Sequence, residues 1–470
     1  MELTLQQILL ATHGRLIQGS SERPLTAVII DSRKAGPGSL FVPLVGSQAD
    51  GHDYIAEALG AGAACFVKKG HAASAAVASA QQASALIEVD DPLRALGDLA
   101  AYWRSLFNLK VVAITGSNGK TSTKEMAALI IERAFPVLKN PGNFNNLIGL
   151  PLSLFQLDRT HQAAVIELGM SELGEIERLA EICDPDIGLI TNVGPSHLQQ
   201  LKTLERVAAA KGELFSYLGP QDLAIVNTDD ARIEAMGKTM RARQLLYGIT
   251  SGQVHASQIK DADCFGTQFD LHIMEQSAPV RLHVPGGQFV INALAAAAIA
   301  SALGIGLDDI KAGLEAFRGV PGRMETVLVA GCTVINDAYN ANPVSTQAAL
   351  AALAGFRHKR RTIAVLGDML ELGDGTAAFH REVGKAAAQL HIDYLFVTGD
   401  FAENVRKGAA EAGMSATALH VCDTLESLAV ELKKTIAPDD VLLLKGSRKM
   451  KMESILDFLK QEAPAGAPQK

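Results

Sequence analysis

Residues Gly116-Ser117-Asn118-Gly119-Lys120-Thr121-Ser122 follow directly on the β-branched run VVAIT and pass straight into a helical pattern. A strand–loop–helix of this kind turns backbone N–H groups and a helix N-terminus toward one point, which suits a polyphosphate. Lys120 then falls on the terminal phosphates, and the Thr121 hydroxyl is a ligand for the magnesium that accompanies them. A plain surface turn would also use Gly, Asn and Ser. Lys-Thr directly after the second Gly favours the phosphate. The usual spacing of such a loop puts Gly at position 114, where this chain has Ile114. The loop is a shortened variant, unlike that of an ordinary GTPase or kinase.

In open parallel sheets, ligands gather outside the carboxyl ends of the strands. Those ends deliver Glu167 (AAVIEL), Asn192 and His197 (DIGLITNVGPSH), and Asp337 and Asn340 (CTVINDAYNANP). They also deliver Asp368 and Glu371 (TIAVLGDMLELG) and Lys445, Ser447 and Arg448 (VLLLKGSRK). Any one alone is an ordinary turn residue; polar groups closing so many strands beside a phosphate loop outline a site. Glu167 is a magnesium-ligand candidate, because that ion takes oxygen ligands.

In TLERVAAAKGELFSYL, Leu204, Val207, Ala208, Leu214, Phe215 and Leu218 mark one helical face, and Lys211 falls in its middle. A buried ammonium must be neutralised, paired or snorkelled to water. Carbamylation by CO₂ is another option, turning the cation into a carboxylate-like anion fit for a metal; periodicity leaves these readings open. Near the last strand, Ser447 reads as the N-cap of a helix opening SRKMKM. Lys445, Arg448 and Lys449 cluster there against the helix macrodipole. Either they form a solvated basic face or they hold an anionic carboxylate or phosphate. Asn342-Pro343 reads as an N-cap followed by Pro at the first helical position.

The elements that must position these groups fall into three parts of an α/β chain. Residues 1–90 show short strands (TAVIID, SLFVPLV, ACFV, ALIEV) and a helix near Tyr54–Leu59, a small α/β domain. Residues 91–320 carry the Gly loop among near-continuously apolar strands (VVAIT, AAVIEL, DIGLIT, LAIVN), as a buried parallel sheet requires. A polar stretch over 250–285 suggests an antiparallel insertion before an Ala-rich helix at 290–303. After Gly319–Arg323, a Gly- and Pro-rich hinge, residues 321–461 alternate strands and helices in a doubly wound, Rossmann-like pattern. Residues 462–470 read as a disordered tail.

With 43 basic against 51 acidic residues, net charge −8, the chain has no nucleic-acid or acidic-membrane footprint. Its five scattered cysteines read as reduced core thiols. No apolar run reaches membrane-spanning length and the N-terminus lacks a signal-peptide core, so a cytoplasmic enzyme is expected.

The ordered motifs together resemble the Mur ligase family, the ATP-dependent amide-forming enzymes of peptidoglycan synthesis. The resemblance spans TGSNGKTSTK (115–124), NPGNFNN (140–146), ELG (167–169), NVGPSH (192–197), AKGE (210–213), NALAAAA (292–298), GRME (322–325) and DAYNANP (337–343). Within the family, DSRKAGPGSLFVPLVG (31–46), GHDYI (51–55), GDMLELG (367–373) and LKGSR (444–448) are similar to members that add D-alanyl-D-alanine to a UDP-N-acetylmuramoyl-tripeptide. The resemblance implies an N-terminal domain for the UDP end, a central P-loop-type ATPase and a C-terminal lid, in a monomer. It implies that Ser32 and Arg33 contact UDP, and that Asn143, Asn145 and Asn146 meet the sugar-peptide. It places Lys120 and Thr121 on ATP and magnesium, and makes Glu167 a metal ligand. A second magnesium would lie on His197 and carbamylated Lys211. Asn292 would face adenine, and Arg323 and Asp337 would reach the nucleotide. The family often has His-Asn where this chain has Gln288-Phe289. The implied reaction runs through an acyl phosphate, attacked by the D-alanyl-D-alanine amine. Alternatives are another ligase of the superfamily, such as a third-residue-adding or folylpolyglutamate type, or a nucleotide-dependent switch.

Overall fold

The computed structural model of the chain describes residues 1–19, 24–46, 48–71, 84–263 and 266–461. The tail 462–470 and Cys264 lie outside the described residues; Cys65, Cys183 and Cys332 are buried free thiols.

The strands form three sheets. The first joins β1 (Arg15–Gln18), β2 (Ala27–Ile29), β3 (Ser39–Phe41), β4 (Ala64–Lys68) and β5 (Leu86–Val89) in the order β1-β5-β4-β3-β2. Apolar runs predict four of these. The fifth, β1, pairs antiparallel with β5 along an edge, and its mostly exposed residues supply no such run.

The second sheet holds β6 (Lys110–Thr115), β7 (Val137–Lys139), β8 (Ala163–Glu167), β9 (Ile187–Ile190), β10 (Leu223–Asn227) and β11 (Arg243–Tyr247). It continues through β12 (Val254–Asp263), β13 (Gly266–Ile273) and β14 (Gln276–Leu282), in the order β14-β13-β12-β11-β10-β9-β6-β8-β7. Every residue of β8 and β9 is buried, as their unbroken apolar runs require. The last three strands form the expected antiparallel insertion.

The third sheet runs β15-β16-β20-β17-β18-β19. Its members are β15 (Glu325–Val329), β16 (Cys332–Asp337), β17 (Thr362–Leu366), β18 (Tyr394–Thr398), β19 (Leu419–Cys422) and β20 (Val441–Lys445). All neighbours are parallel except β15, which forms a hairpin with β16. Its turn, Ala330-Gly331, has φ of 52° and 80°, the left-handed pair that matches strand twist. A single connecting turn between two apolar pieces hides this strand from a reading of helix and strand alternation. Among the described residues no helix is long and apolar enough to cross a membrane.

By internal packing the residues group into two units. One comprises Met1–Ala113, Phe135–Met170 and Gly174–Gly188 and contains the first sheet; the other comprises Ile114–Ala134, Ser171–Leu173 and Leu189–Lys470 and contains the third. In the second unit the helix Gln288–Ala302 is buried nearly all round and packs on the helix Lys120–Ile131 and strands β10 to β13. Also in this unit, the helices Thr376–Gln389 and Ala402–Glu411 cross at two glycines. A Cβ on Gly384 would lie 1.9 Å from the Val405 carbonyl oxygen, and one on Gly408 1.9 Å from that of Arg381. These backbones touch, and neither can yield by rotating a side chain. Gly384→Ala is therefore expected to destabilise the protein by roughly 1–3 kcal/mol, read as a lower midpoint in thermal unfolding. An unchanged midpoint would show that the two helices part freely.

Candidate active site

The loop after β6 is held from below by the segment that follows β9. Gly116 has φ 145°, and a Cβ there would sit 1.9 Å from Thr191 Oγ1. Ser117 N–H donates to the Asn192 carbonyl at 2.9 Å, and Asn118 N–H to Asn192 Oδ1 at 2.9 Å. Thr191 Oγ1 and Asn192 Nδ2 both donate to the Asn118 carbonyl, at 2.6 and 3.0 Å. The Ser117 hydroxyl bonds the Gly194 backbone and approaches Ser196 Oγ at 3.1 Å. Gly119, φ 83°, precedes the helix, and a Cβ there would lie 2.3 Å from Asn292 Oδ1. Asn292 thus closes on the loop, while Phe289 packs in the core against Phe317 at 6.2 Å. Thr121 and Ser122 are buried in the first helical turn, and Lys120 Nζ donates to the Gly116 carbonyl at 2.7 Å.

Lys120, His197 and Lys211 form one electrostatic cluster. Lys211 lies on the buried face of the helix Leu204–Tyr217 with Val207, Ala210, Leu214 and Phe215, and only 2% of it is exposed. No ion pair or hydrogen bond reaches its ammonium among the described residues. Burial, and then the charge of Lys120, hold its pKa well below the ordinary lysine value. His197 is pulled down to about 4 by burial and by both lysines, so its ring is neutral. Its backbone is left-handed, φ 53°, and its Nδ1 lies 3.2 Å from Glu371 Oε2.

At the ends of β16 and β20, Asp337 and Lys445 form a buried ion pair. Lys445 Nζ also donates to the Asn340 carbonyl at 3.0 Å, and Met324 N–H to Asp337 Oδ1 at 3.1 Å. The Tyr339 ring is flanked by two guanidinium groups, with Arg323 4.1 Å and Arg448 5.9 Å from its centroid. Asn342 caps its helix as read from sequence, and its Nδ2 donates to Asn118 Oδ1 at 2.7 Å. That second bond ties the cap to the Gly loop. Ser447 departs from expectation: its side chain caps nothing, and a single 3₁₀ turn, Arg448–Met450, follows it. The α-helix begins only at Glu453. The hydroxyl has been captured by the neighbouring loop, accepting Leu370 N–H at 2.8 Å. With no helix start at Arg448, the conflict between cations and macrodipole disappears; Arg448 pairs with Glu453 at 2.7 Å.

In the first unit, Glu167 is 2% exposed, and its Oε1 accepts Asn145 Nδ2 at 2.8 Å. Asn140, fully buried, bonds both the N–H and the carbonyl of Glu167 and so fixes the strand end. The list of strand-end residues does not single it out, although it opens the NPGNFNN motif directly after β7. Asn146 accepts the N–H groups of Ile148 and Gly149, capping the next helix, whereas Asn143 stays exposed. Ser32 Oγ donates to Glu57 at 3.2 Å, and Arg33 pairs with Asp31 at 2.8 Å on the surface.

Comparison with known proteins bears on this arrangement. The chain matches the Mur ligase family, catalytic domain, over residues 24–104, the Mur ligase middle domain over 114–300, and the Mur ligase glutamate ligase domain over 322–448. It is 34% identical to the UDP-N-acetylmuramoyl-tripeptide–D-alanyl-D-alanine ligase of Mycobacterium tuberculosis, with 99% of each chain covered. Among solved structures it resembles MurF from Acinetobacter baumannii, with TM-score 0.89, 34% identity and coverage of 98% and 99%. It also resembles the MurF ligase of Thermotoga maritima in complex with ADP, with TM-score 0.83, 27% identity and coverage of 93% and 98%.

The loop Gly367–Gly373 has its own support. Asp368 accepts the N–H groups of Asp400 and Phe401, at 2.8 and 3.1 Å. His380 Nε2 accepts Met369 N–H at 2.9 Å, and its Nδ1 lies 2.7 Å from the Thr376 carbonyl. Those two bonds require a neutral ring protonated at Nδ1. Burial holds its pKa below the ordinary value, against weaker opposing pulls from the Thr376 carbonyl and Asp368. The unfolded chain therefore takes up this proton first as pH falls, and the ring's contribution is complete only above about pH 6.5. Below that value it is progressively lost. Thermal midpoints should fall between pH 7 and 5 more steeply in the native chain than in His380→Gln; equal slopes would show that the ring is not held neutral.

Proposed function

The chain belongs to the Mur ligase family, and from that premise we propose that it joins D-alanyl-D-alanine to the C-terminal carboxylate of a UDP-N-acetylmuramoyl-tripeptide. ATP drives the reaction, in peptidoglycan precursor synthesis in the cytoplasm, and the working form is a monomer. Residues 1–90 take the UDP end through Ser32 and Arg33, residues 91–320 take ATP, and residues 321–461 form the lid. Asn143, Asn145 and Asn146 face the sugar-peptide, Asn292 faces adenine, and Arg323 and Asp337 contact the nucleotide.

The observation that carries the reading is the cluster of Lys120, His197 and Lys211. Two lysines share a desolvated place beside a backbone-lined loop, and Lys211 has no anion to balance it among the described residues. Such a place fits an anion. Asn118 Nδ2, buried with no hydrogen-bond partner among the described residues, is a donor that a phosphate oxygen would satisfy. The glycines at 116 and 119 let Thr191 and Asn292 pack where a Cβ would collide, and so hold the loop backbone in place.

The chemistry brings a carboxylate to a triphosphate, two anions that repel. Lys120 offsets that repulsion at the phosphate under transfer. The tripeptide carboxylate attacks the γ-phosphorus, forming an acyl phosphate and releasing ADP. The D-alanyl-D-alanine amine then attacks the acyl carbon, and phosphate leaves as the amide forms. An acyl phosphate hydrolyses readily, so water must be kept out. The contact of Asn342 with Asn118 supports a lid that docks on the loop.

Magnesium would supply further charge neutralisation. Thr121 suits it, as does the neutral ring of His197, whose lone pair is available. In the first unit, Glu167 is a buried carboxylate oriented by Asn145. Lys211 suits it once carbamylated. Burial lowers the pKa of the amine, which favours the uncharged form that adds to CO₂; the N–C bond forms, one proton leaves, and a neutral amine becomes an anion.

Phosphate release should require ATP, a UDP-muramoyl-tripeptide and D-alanyl-D-alanine together, and Lys120→Ala should lower it by at least about 10²-fold. Release without the dipeptide at the same rate would overturn ligase chemistry. Lys211→Ala should be nearly inactive and partly restored by acetate. Rescue by small amines and not by acetate would reverse the assigned charge and remove the carbamate.

A further inference from the structure

Two non-glycine residues with left-handed backbone meet at the cluster: His197, φ 53°, and Glu371, φ 64°. Such conformations are uncommon outside glycine and persist where surrounding structure imposes them. The Gln199 N–H donates to the Glu371 carbonyl at 3.1 Å, so backbone as well as side chain joins the turn at His197 to the loop at Glu371. That loop is fixed on its far side by His380 at Met369 and by Ser447 at Leu370. The Glu371 side chain is half exposed and has its Oε2 3.2 Å from Nδ1 of the less exposed His197 ring. A rigid arm thus delivers one carboxylate oxygen to one ring nitrogen.

We propose that Glu371 is a positioning residue: its carboxylate accepts the Nδ1–H of His197, fixes the ring's tautomer and orientation, and leaves Nε2 as the nitrogen offered to a divalent cation. This rests on the reading of His197 as a metal ligand. Histidine ligands generally donate their second N–H to a carboxylate or carbonyl, and loss of that partner typically weakens metal binding about 10–100-fold. In this chain the carboxylate comes from the loop after β17, beyond the Gly319–Arg323 turn. The histidine is therefore set for metal only while the C-terminal sheet's loop is docked beside it.

The test uses the full chain in bicarbonate buffer without nucleotide. Long-range ¹H–¹⁵N spectra of histidine-labelled protein report the His197 tautomer, and electron paramagnetic resonance reports binding of Mn²⁺ alone. The native chain should show Nδ1 protonated and Nε2 bare. Glu371→Ala should shift the ring toward the Nε2–H tautomer and weaken Mn²⁺ about tenfold or more. Glu371→Gln, whose amide oxygen still accepts an N–H, should retain the native tautomer and most of the affinity. An unchanged tautomer in Glu371→Ala would overturn the proposal, whatever the activity of that variant. His197→Ala separates the two readings. If it leaves Mn²⁺ affinity intact, His197 is not a ligand and the metal role falls with it; if it weakens Mn²⁺ while Glu371→Ala does not, only the role of Glu371 falls.

Discussion

A lysine buried with no counter-ion among the described residues, close to a second lysine, is the constraint around which the second unit is arranged. Moving an ammonium out of water is opposed by several kcal/mol even after relaxation, and the charge of Lys120 adds to that opposition. The fold does not escape through a snorkelling side chain, because Lys211 sits among Val207, Leu214 and Phe215 and is 2% exposed. The neighbouring histidine responds by staying neutral. What remains is a place with two lysines and, among the described residues, no counter-charge on Lys211. The loop that would receive an anion cannot drift away, since Thr191 and Asn192 hold its backbone, and Gly194 the Ser117 hydroxyl, through hydrogen bonds.

Lys445 shows the opposite solution within the same unit. It is as deeply buried as Lys211, yet Asp337 and the Asn340 carbonyl complete it. Removing either partner of such a pair would leave a bare charge in the core, so the pair holds the ends of β16 and β20 together. The contrast separates two residues that look alike in a list of basic side chains. One has its counter-charge within the fold; the other has none among the described residues.

Much of this was legible in the sequence because it is local. The Gly loop, the burial of Lys211 and the Asn342 cap each follow from spacing within a few residues. The strands expected of the parallel sheets carry their own apolar runs. The exceptions have long-range causes. Ser447 has every local mark of an N-cap, but Leu370 takes its hydroxyl, and nothing near Ser447 announces that. The pairing of Asp337 with Lys445 depends on strand order, which no periodicity encodes. Strand β15 was missed because a tight two-residue turn folds it straight back, and β1 because it is an exposed edge. Glu371 was visible only as one polar strand end among several; its meaning lies in the left-handed turn that carries it to His197.

The helix Gln288–Ala302 carries a further consequence. Seven of its residues are alanines, at 293, 295, 296, 297, 298, 300 and 302, and nearly the whole helix is enclosed. Its neighbours, the helix Lys120–Ile131 and four strands, pack directly against it. Almost any replacement there is an enlargement, since only glycine is smaller. The reach of Asn292 to Gly119 is set by that thinness, as the carboxamide is short and the loop leaves no slack. Variation at these alanines would therefore act on the loop as added girth, lifting Asn292 away while every residue of the cluster kept its identity. The alanines form a gauge: their smallness sets how near this helix, and Asn292 on it, lies to the loop.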